Sequence, residues 1–171
     1  EAAREFARKG AQTILACRDV EKGQTALDQI KAEIPEATAE IVQLDLASLE
    51  SIQHFAEAFK AKYDRLDVLL NNAGIMMVPY GKTEDGFERQ FGTNHLGHFA
   101  LTGQSAAMGA LPSIRAAVDP DVAGAEYFGP DGTVQVKGYP VLVPSSKASH
   151  NQTDAQKLWE ISEELTGVQY L

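Results

Sequence analysis

Hydrophobic and polar positions follow two different periods along the first hundred residues. Short apolar runs rich in strand-forming residues, "QTILACR" (12–18), "AEIVQLDL" (39–46) and "DVLL" (67–70), predict three strands. Between them, apolar residues recur at helical spacing, as in the stretch from Leu49 to Tyr63, and predict helices. Strands that alternate with helices indicate right-handed crossovers, and so an α/β fold with a parallel sheet covered on both faces.

Helical spacing also marks both ends of the chain. "EAAREFARKG" (1–10) predicts a helix at the first residues, and "TDAQKLWEISEELTG" (153–167) predicts one near the last. In the second, Thr153 and Gln156 have the spacing of a capping box, and Gly167 is the expected stop. Ahead of it, "EYFGPDGTVQVKGY" (126–139) predicts a turn at 130–132 between extended arms.

Composition narrows the classes of partner. The chain has 171 residues, 44% of them hydrophobic, which is enough for one domain with a buried core over residues 1–171. A net charge of −9 without a basic cluster makes nucleic acid and anionic membranes poor partners. The absence of a membrane-length apolar run and of a leader favours a cytoplasmic protein, and the lone Cys17 agrees with a reducing compartment.

Because ligands of parallel sheets bind beyond the carboxyl ends of the strands, those ends carry the candidate site. Arg18 follows the first strand, where proteins that bind NAD usually place a carboxylate for the ribose hydroxyls, and Lys22 lies one helical turn on. A guanidinium suits the 2′-phosphate of NADP, so NADP is favoured over NAD. The alternative is a solvated Arg18 that only begins a helix.

The next two strand ends are also candidates for dinucleotide binding. Asp45 and Leu46 could bond and cover an adenine, although Asp45 could equally belong to the N-terminal cap of the next helix. Asn72, Ala73 and Gly74 end the third predicted strand, where small residues allow a ribose or nicotinamide to approach the backbone closely.

A later helical stretch, "TEDGFERQFGTNHLGHFALTGQ" (83–104), contains three polar residues of interest. His95 and His98 could ligate a metal, but no third ligand is obvious, so packing or capping is favoured and no metal is predicted. Asn94 competes for backbone hydrogen bonds in mid-helix, so its position there calls for a reason.

Four motifs together resemble the short-chain dehydrogenase/reductase family, and more closely its retinol-dehydrogenase-like branch. They are "ACRDVEKG" (16–23), "LDLASL" (44–49), "DVLLNNAGIM" (67–76) and "FGTNHLGHFALT" (91–102). The resemblance implies a Rossmann-like, doubly wound three-layer sheet and hydride transfer between NADP(H) and an apolar alcohol or carbonyl substrate. It also implies that Asn94 is the catalytic Asn, placed in a local helix distortion whose freed carbonyl binds a relay water to the catalytic Lys.

The chain departs from the family pattern in two places. The first strand and Gly-rich turn, expected just before Glu1, are missing, and no Tyr-x-x-x-Lys occurs, so the catalytic Ser, Tyr and Lys cannot be named. A chain gap is expected between Gln104 and Ser105, and "SSK" (145–147) is interpreted as a surface loop. In the family strand order 3-2-1-4, loss of strand 1 would leave its two neighbours unpaired.

Three functions stay open from the sequence. The leading one is an NADP(H)-dependent oxidoreductase with a small-molecule substrate, which could form a homo-oligomer. The second is a catalytically inactive dinucleotide-binding relative, because the catalytic residues are incomplete. The third, a Rossmann-type methyltransferase, is disfavoured because such enzymes tend to place an acid where Arg18 stands.

Overall fold

A computed structural model describes residues 2–103, 128–130, 140–142 and 144–170. The chain divides into two compact units: Glu1–Asp64 with Ala73–Leu101, and Arg65–Asn72 with Thr102–Leu171. The expected gap between Gln104 and Ser105 lies outside the described residues. The single-domain organisation stays a prediction.

The first unit is built on a parallel pair of strands. Strand β1 (Thr13–Cys17) pairs with β2 (Ala39–Gln43) in a register that runs from Thr13 opposite Ala39 to Cys17 opposite Gln43. Three helices accompany them, α1 (Ala2–Arg8), α2 (Val20–Glu33) and α3 (Leu49–Lys62). The predicted helices and the first two strands are confirmed, and the fold class is α/β with a Rossmann-like parallel sheet.

Polar side chains cap the N-termini of α2 and α3, and so mark where the loops after β1 and β2 end. Asp19 caps α2 by accepting a hydrogen bond from the amide of Lys22, and Ser48 caps α3 by accepting one from the amide of Ser51. Asp19 lies two residues after β1 and Ser48 five residues after β2, so the two caps fix where each helix begins beyond its strand. The helices then bury apolar faces in a core made of Ala7, Leu27, Ile30, Ile34, Leu44, Leu46, Ile52, Phe55, Ala56, Leu96, Ala100 and Leu101.

The predicted third strand is wrong. Residues 67–70 have no strand conformation, and Leu70 is 42% exposed. A strand forms only when a neighbour pairs with its backbone, and within the described residues no strand pairs with this segment. The apolar sequence of residues 67–70 alone is therefore not sufficient for a strand in the described structure.

The long helix expected over 83–104 forms later and in three parts. A single α-helical turn, α4 (Arg89–Phe91), leads into a π-helix (Gly92–Leu96) and then into α5 (Gly97–Gly103). The amide of Gly97 bonds to the carbonyl of Gly92, five residues earlier, which is the defining bond of the π-helix. The expected local distortion at Asn94 is therefore confirmed.

The described part of the second unit contains a short antiparallel pair of strands and a long helix. Strand β3 (Phe128–Pro130) is antiparallel to β4 (Pro140–Leu142), and a 3₁₀ turn (Lys147–His150) precedes α6 (Gln152–Thr166). The predicted turn at 130–132 extends beyond the described residues. Within the described ranges, no helix is both long and apolar enough to cross a bilayer.

The ends of α6 confirm one prediction and correct another. Gly167 ends the helix in the left-handed conformation at φ +69°, as expected. The capping box is wrong, because Asn151 is the cap and accepts a hydrogen bond from the amide of Asp154. Asn151 precedes Thr153 by two residues, so the helix starts earlier than the box spacing indicated.

Candidate functional site

The end of β1 presents an exposed cation. Arg18 is exposed and makes no hydrogen bond or ion pair with the described part of the chain. Lys22 differs, because its Nζ lies 3.1 Å from Asp19 Oδ2. The amide and ammonium groups of Lys22 both bond to Asp19 and hold the pKa of that carboxyl below its usual range. Arg18 is therefore the better placed of the two for an incoming anion.

Helix α2 approaches β1 closely at this point. A Cβ on Gly23 would lie 2.5 Å from the Sγ of Cys17, so a residue without a side chain is required for the observed packing. Burial, and to a lesser degree the charge of Asp19, raises the pKa of the Cys17 thiol. The Sγ of Cys17 therefore packs against α2 at Gly23, one residue before the exposed Arg18.

The end of β2 is ordered by hydrogen bonds around Asp45. Its Oδ1 accepts from the amide of Ala47 at 2.9 Å, and its own amide donates to Ser51 Oγ at 2.9 Å. The cap of α3 is Ser48, so Asp45 shapes the loop before the cap and keeps its second carboxylate oxygen without a bond to the described residues. Leu46 is only 8% exposed, which leaves little of its surface to cover an adenine.

Asn94 holds the segment after the Asn-Asn-Ala-Gly motif. Its Oδ1 accepts from the amide of Ile75 at 2.8 Å, and its Nδ2 donates to the carbonyl of Ile75 at 2.7 Å. The side-chain amide thus satisfies both backbone groups of one residue, as a neighbouring strand would. A Cβ on Gly74 would lie 3.2 Å from Asn94 Oδ1, so glycine gives the side chain room to approach.

His98 holds the other side of the same segment. Its Nε2 lies 2.7 Å from the carbonyl oxygen of Ala73. His95, between Asn94 and His98, stacks on Phe91 with ring centroids 5.1 Å apart. Burial, and secondarily the nearby His98, lowers the pKa of His95. The sequence favoured packing or capping for both histidines, and the structure shows such roles, but nothing in the sequence pointed to the Ala73 carbonyl.

Not all candidate residues belong to one unit. Arg18, Lys22, Asp45, Leu46, Ala73, Gly74 and Asn94 lie in the first unit, whereas Asn72 lies in the second. In that second unit, the amide of Asn72 bonds to the carbonyl of Leu70 at 2.9 Å, and Asn71 Nδ2 donates to Thr102 Oγ1 at 3.3 Å. Among the described residues, no three His, Cys, Asp or Glu side chains are grouped closely enough to hold a metal ion.

The first-unit residues fit a phosphorylated dinucleotide in three respects. Arg18 is an exposed cation without a partner in the described residues, Asp45 retains a carboxylate oxygen, and the backbone of Ala73 and Gly74 is exposed. Guanidinium groups bind phosphates through paired N–H donors, and small residues let a ligand contact the backbone. None of these residues transfers hydride, so any redox chemistry has to be supplied by the bound cofactor.

Comparison with known proteins agrees with this chemistry. The family model described as short chain dehydrogenase matches residues 1–110. Retinol dehydrogenase 12 of Mus musculus is 53% identical over 102 residues, which are 60% of this chain and 32% of the relative. The matched part therefore spans about a third of the length of that curated relative.

Two solved structures are similar as well. An uncharacterized protein from Mycobacterium Paratuberculosis aligns with a TM-score of 0.79 at 28% identity, covering 99% of this chain and 89% of its own. A metagenomic short-chain oxidoreductase (SDR) in complex with NADP aligns with a TM-score of 0.51 at 28% identity, covering 62% and 48%. These likenesses give the methyltransferase hypothesis no support. The chain belongs to the short-chain dehydrogenase family and is retinol-dehydrogenase-like.

Proposed function

We propose that the protein is an NADP(H)-dependent oxidoreductase that interconverts an apolar alcohol and its carbonyl compound. The proposal rests on the position and contacts of Asn94. This residue lies in a π-helix and bonds to both backbone groups of Ile75. Ile75 directly follows the candidate cofactor-binding residues Ala73 and Gly74. A helix distortion of this kind is frequent at functional sites. Similarity to a retinol dehydrogenase supports an apolar alcohol as substrate.

In this proposal each residue has a limited task. Arg18 binds the 2′-phosphate of NADP(H), with Lys22 adding positive charge at the same end of β1. Asp45 contacts the adenine, and the backbone of Ala73 and Gly74 lies along the ribose and nicotinamide. Asn94 holds this backbone through Ile75, and its π-helical turn is the expected place for a relay water. When bound, NADP(H) supplies or accepts the hydride.

The test uses the full-length protein. Titration with NADPH and NADH, followed by cofactor fluorescence, is expected to show tighter binding of NADPH. Retinaldehyde, as an apolar aldehyde, is expected to be reduced with consumption of NADPH, and a short polar aldehyde serves as the control substrate. Asn94→Ala is expected to lower kcat more than it weakens NADPH binding.

The possible results separate the alternatives. NADPH binding without turnover of any alcohol or aldehyde would favour the inactive dinucleotide-binding relative. No binding of either cofactor would overturn the proposal. Cytoplasmic localisation, homo-oligomer formation, and the absence of nucleic-acid and membrane partners stay predictions.

A further inference from the structure

We propose that His98 is a positioning residue, which acts together with Asn94 to fix residues 73–75 in the conformation that receives the cofactor. The inference rests on the proposed function, because it concerns the same cofactor-binding segment. It assigns a task to a histidine that the sequence left with a packing or capping role.

Two side chains of neighbouring helical turns bind this segment on either side of Gly74. His98, in α5, bonds to the carbonyl of Ala73 at 2.7 Å. Asn94, in the π-helix, bonds to the amide and carbonyl of Ile75 at 2.8 Å and 2.7 Å. Three hydrogen bonds therefore reach the residues before and after Gly74, a residue type with unusually free backbone dihedrals.

The segment has few other means of holding its shape. Ala73 and Gly74 are exposed, and neither belongs to a helix or strand. The following residues Met76 and Met77 are 75% and 89% exposed, so side-chain burial does not fix the segment from that direction. Its conformation thus depends on the bonds from Asn94 and His98, and loss of either leaves more backbone freedom for the cofactor to remove on binding.

The contact requires a donor on the side chain at position 98. A carbonyl oxygen only accepts hydrogen bonds, so Nε2 of His98 carries the proton. The neutral ring must be the Nε2–H tautomer, and the cationic ring donates from the same nitrogen. A glutamine carries a side-chain N–H of comparable reach, whereas a leucine of similar size carries none.

The test compares His98→Leu and His98→Gln in the full-length protein, with His54→Leu as the matched control. His54 is an exposed histidine on α3, and its side chain makes no hydrogen bond, ion pair or ring contact with the described residues. His98→Leu is expected to weaken NADPH binding about 2- to 10-fold, near the lower value because the bond is exposed to solvent. His98→Gln is expected to recover most of the loss, and His54→Leu to behave as the unmutated protein.

Two measurements without cofactor keep this inference separate from the proposed function. Amide hydrogen exchange at Ile75 is expected to be faster in His98→Leu than in the unmutated protein and restored in His98→Gln. Nitrogen-15 spectra of the unmutated protein are expected to show a protonated Nε2 on His98. If the unmutated protein bound no NADPH, the proposed function would be wrong. These two measurements would still test the hydrogen bond from His98 to the Ala73 carbonyl.

Three results would overturn the inference. The first is unchanged exchange at Ile75 in His98→Leu. The second is a glutamine variant as impaired as the leucine variant, since a donor at position 98 would then be irrelevant. The third is an unprotonated Nε2 in the neutral ring, which could not donate to the Ala73 carbonyl.

Discussion

Arg18 and Lys22 carry the same charge at the end of β1, but they differ in their hydrogen-bonding and ion-pair partners. Lys22 lies in the first turn of α2 and is paired with Asp19, which already accepts the hydrogen bond from the Lys22 amide. This pair is largely neutralised within the helix start. Arg18, one residue before Asp19, has no such partner in the described residues, so its charge is available to a ligand.

Arg18 is therefore expected to determine cofactor preference. Arg18→Gln should weaken NADPH binding by about 10- to 100-fold, the effect of losing a charge-assisted contact worth about 1.5–3 kcal/mol, while NADH binding changes little. Lys22→Gln is the matched variant and should have a smaller effect, because its ammonium group is engaged with Asp19. Calorimetric titration of both cofactors into the unmutated full-length protein and each variant measures the affinities.

Salt provides a second readout for the same residue. The NADPH affinity of the unmutated protein should fall as ionic strength rises, and that of Arg18→Gln should fall less steeply. Equal losses for NADPH and NADH in Arg18→Gln would contradict a 2′-phosphate contact. Tighter binding of NADH by the unmutated protein would show that Arg18 only faces water.

At the scale of elements, helix α5 closely approaches the backbone of the loop after β2. A Cβ on Gly97 would lie 2.2 Å from the carbonyl oxygen of Leu46 and 3.0 Å from its Cβ. A backbone oxygen cannot move aside by changing a rotamer, so only glycine fits here. Asn94 and His98 lie on the helical turns on either side of Gly97, so this approach also sets where their side chains reach residues 73–75.

Gly97→Ala is expected to destabilise the first unit, although alanine is normally the better helix former. The overpacking should lower the free energy of unfolding by about 1–3 kcal/mol. Gly81→Ala is the matched control, because the three atoms nearest to a Cβ there belong to the guanidinium of Arg89, the end of a flexible side chain. Urea unfolding of the 171-residue chain measures both. Equal stability of the two variants would mean that α5 does not need this close approach.

The sequence predicted the helices better than the strands, and the reason is physical. Helical hydrogen bonds form within one segment, so the periodicity of α2 and α3 was sufficient to locate both. A strand depends on its neighbour, and residues 67–70 lack one in the described structure despite a strongly apolar sequence. The same distinction applies to the candidate site. Asn94 was identified because an asparagine in the middle of a helix is unusual. The bond from His98 to the Ala73 carbonyl depends on tertiary structure, which the spacing of residues in the sequence does not reveal.

At the scale of the whole chain, the two units differ in how much apolar surface their described residues bury. The first unit contains the core around Ile52, Ala56 and Leu96, which are at most 1% exposed. In the second, apolar side chains of α6 remain substantially in contact with solvent, with Trp159 at 46% and Leu158 at 43% exposed. Burial of apolar surface is the main favourable contribution to folding, so the described residues indicate unequal stability.

The expected consequence is that α6 unfolds at a lower urea concentration than α3. Hydrogen exchange followed by mass spectrometry, at increasing urea, gives the protection of peptides from both helices in one sample. Trp159 offers an independent optical signal for the second unit, because it is the chain's single tryptophan and packs against Tyr170 with ring centroids 4.7 Å apart. Its fluorescence transition should coincide with the loss of protection in α6. If α3 and α6 instead lost protection at the same urea concentration, the chain would unfold as the single domain that its length and composition predict.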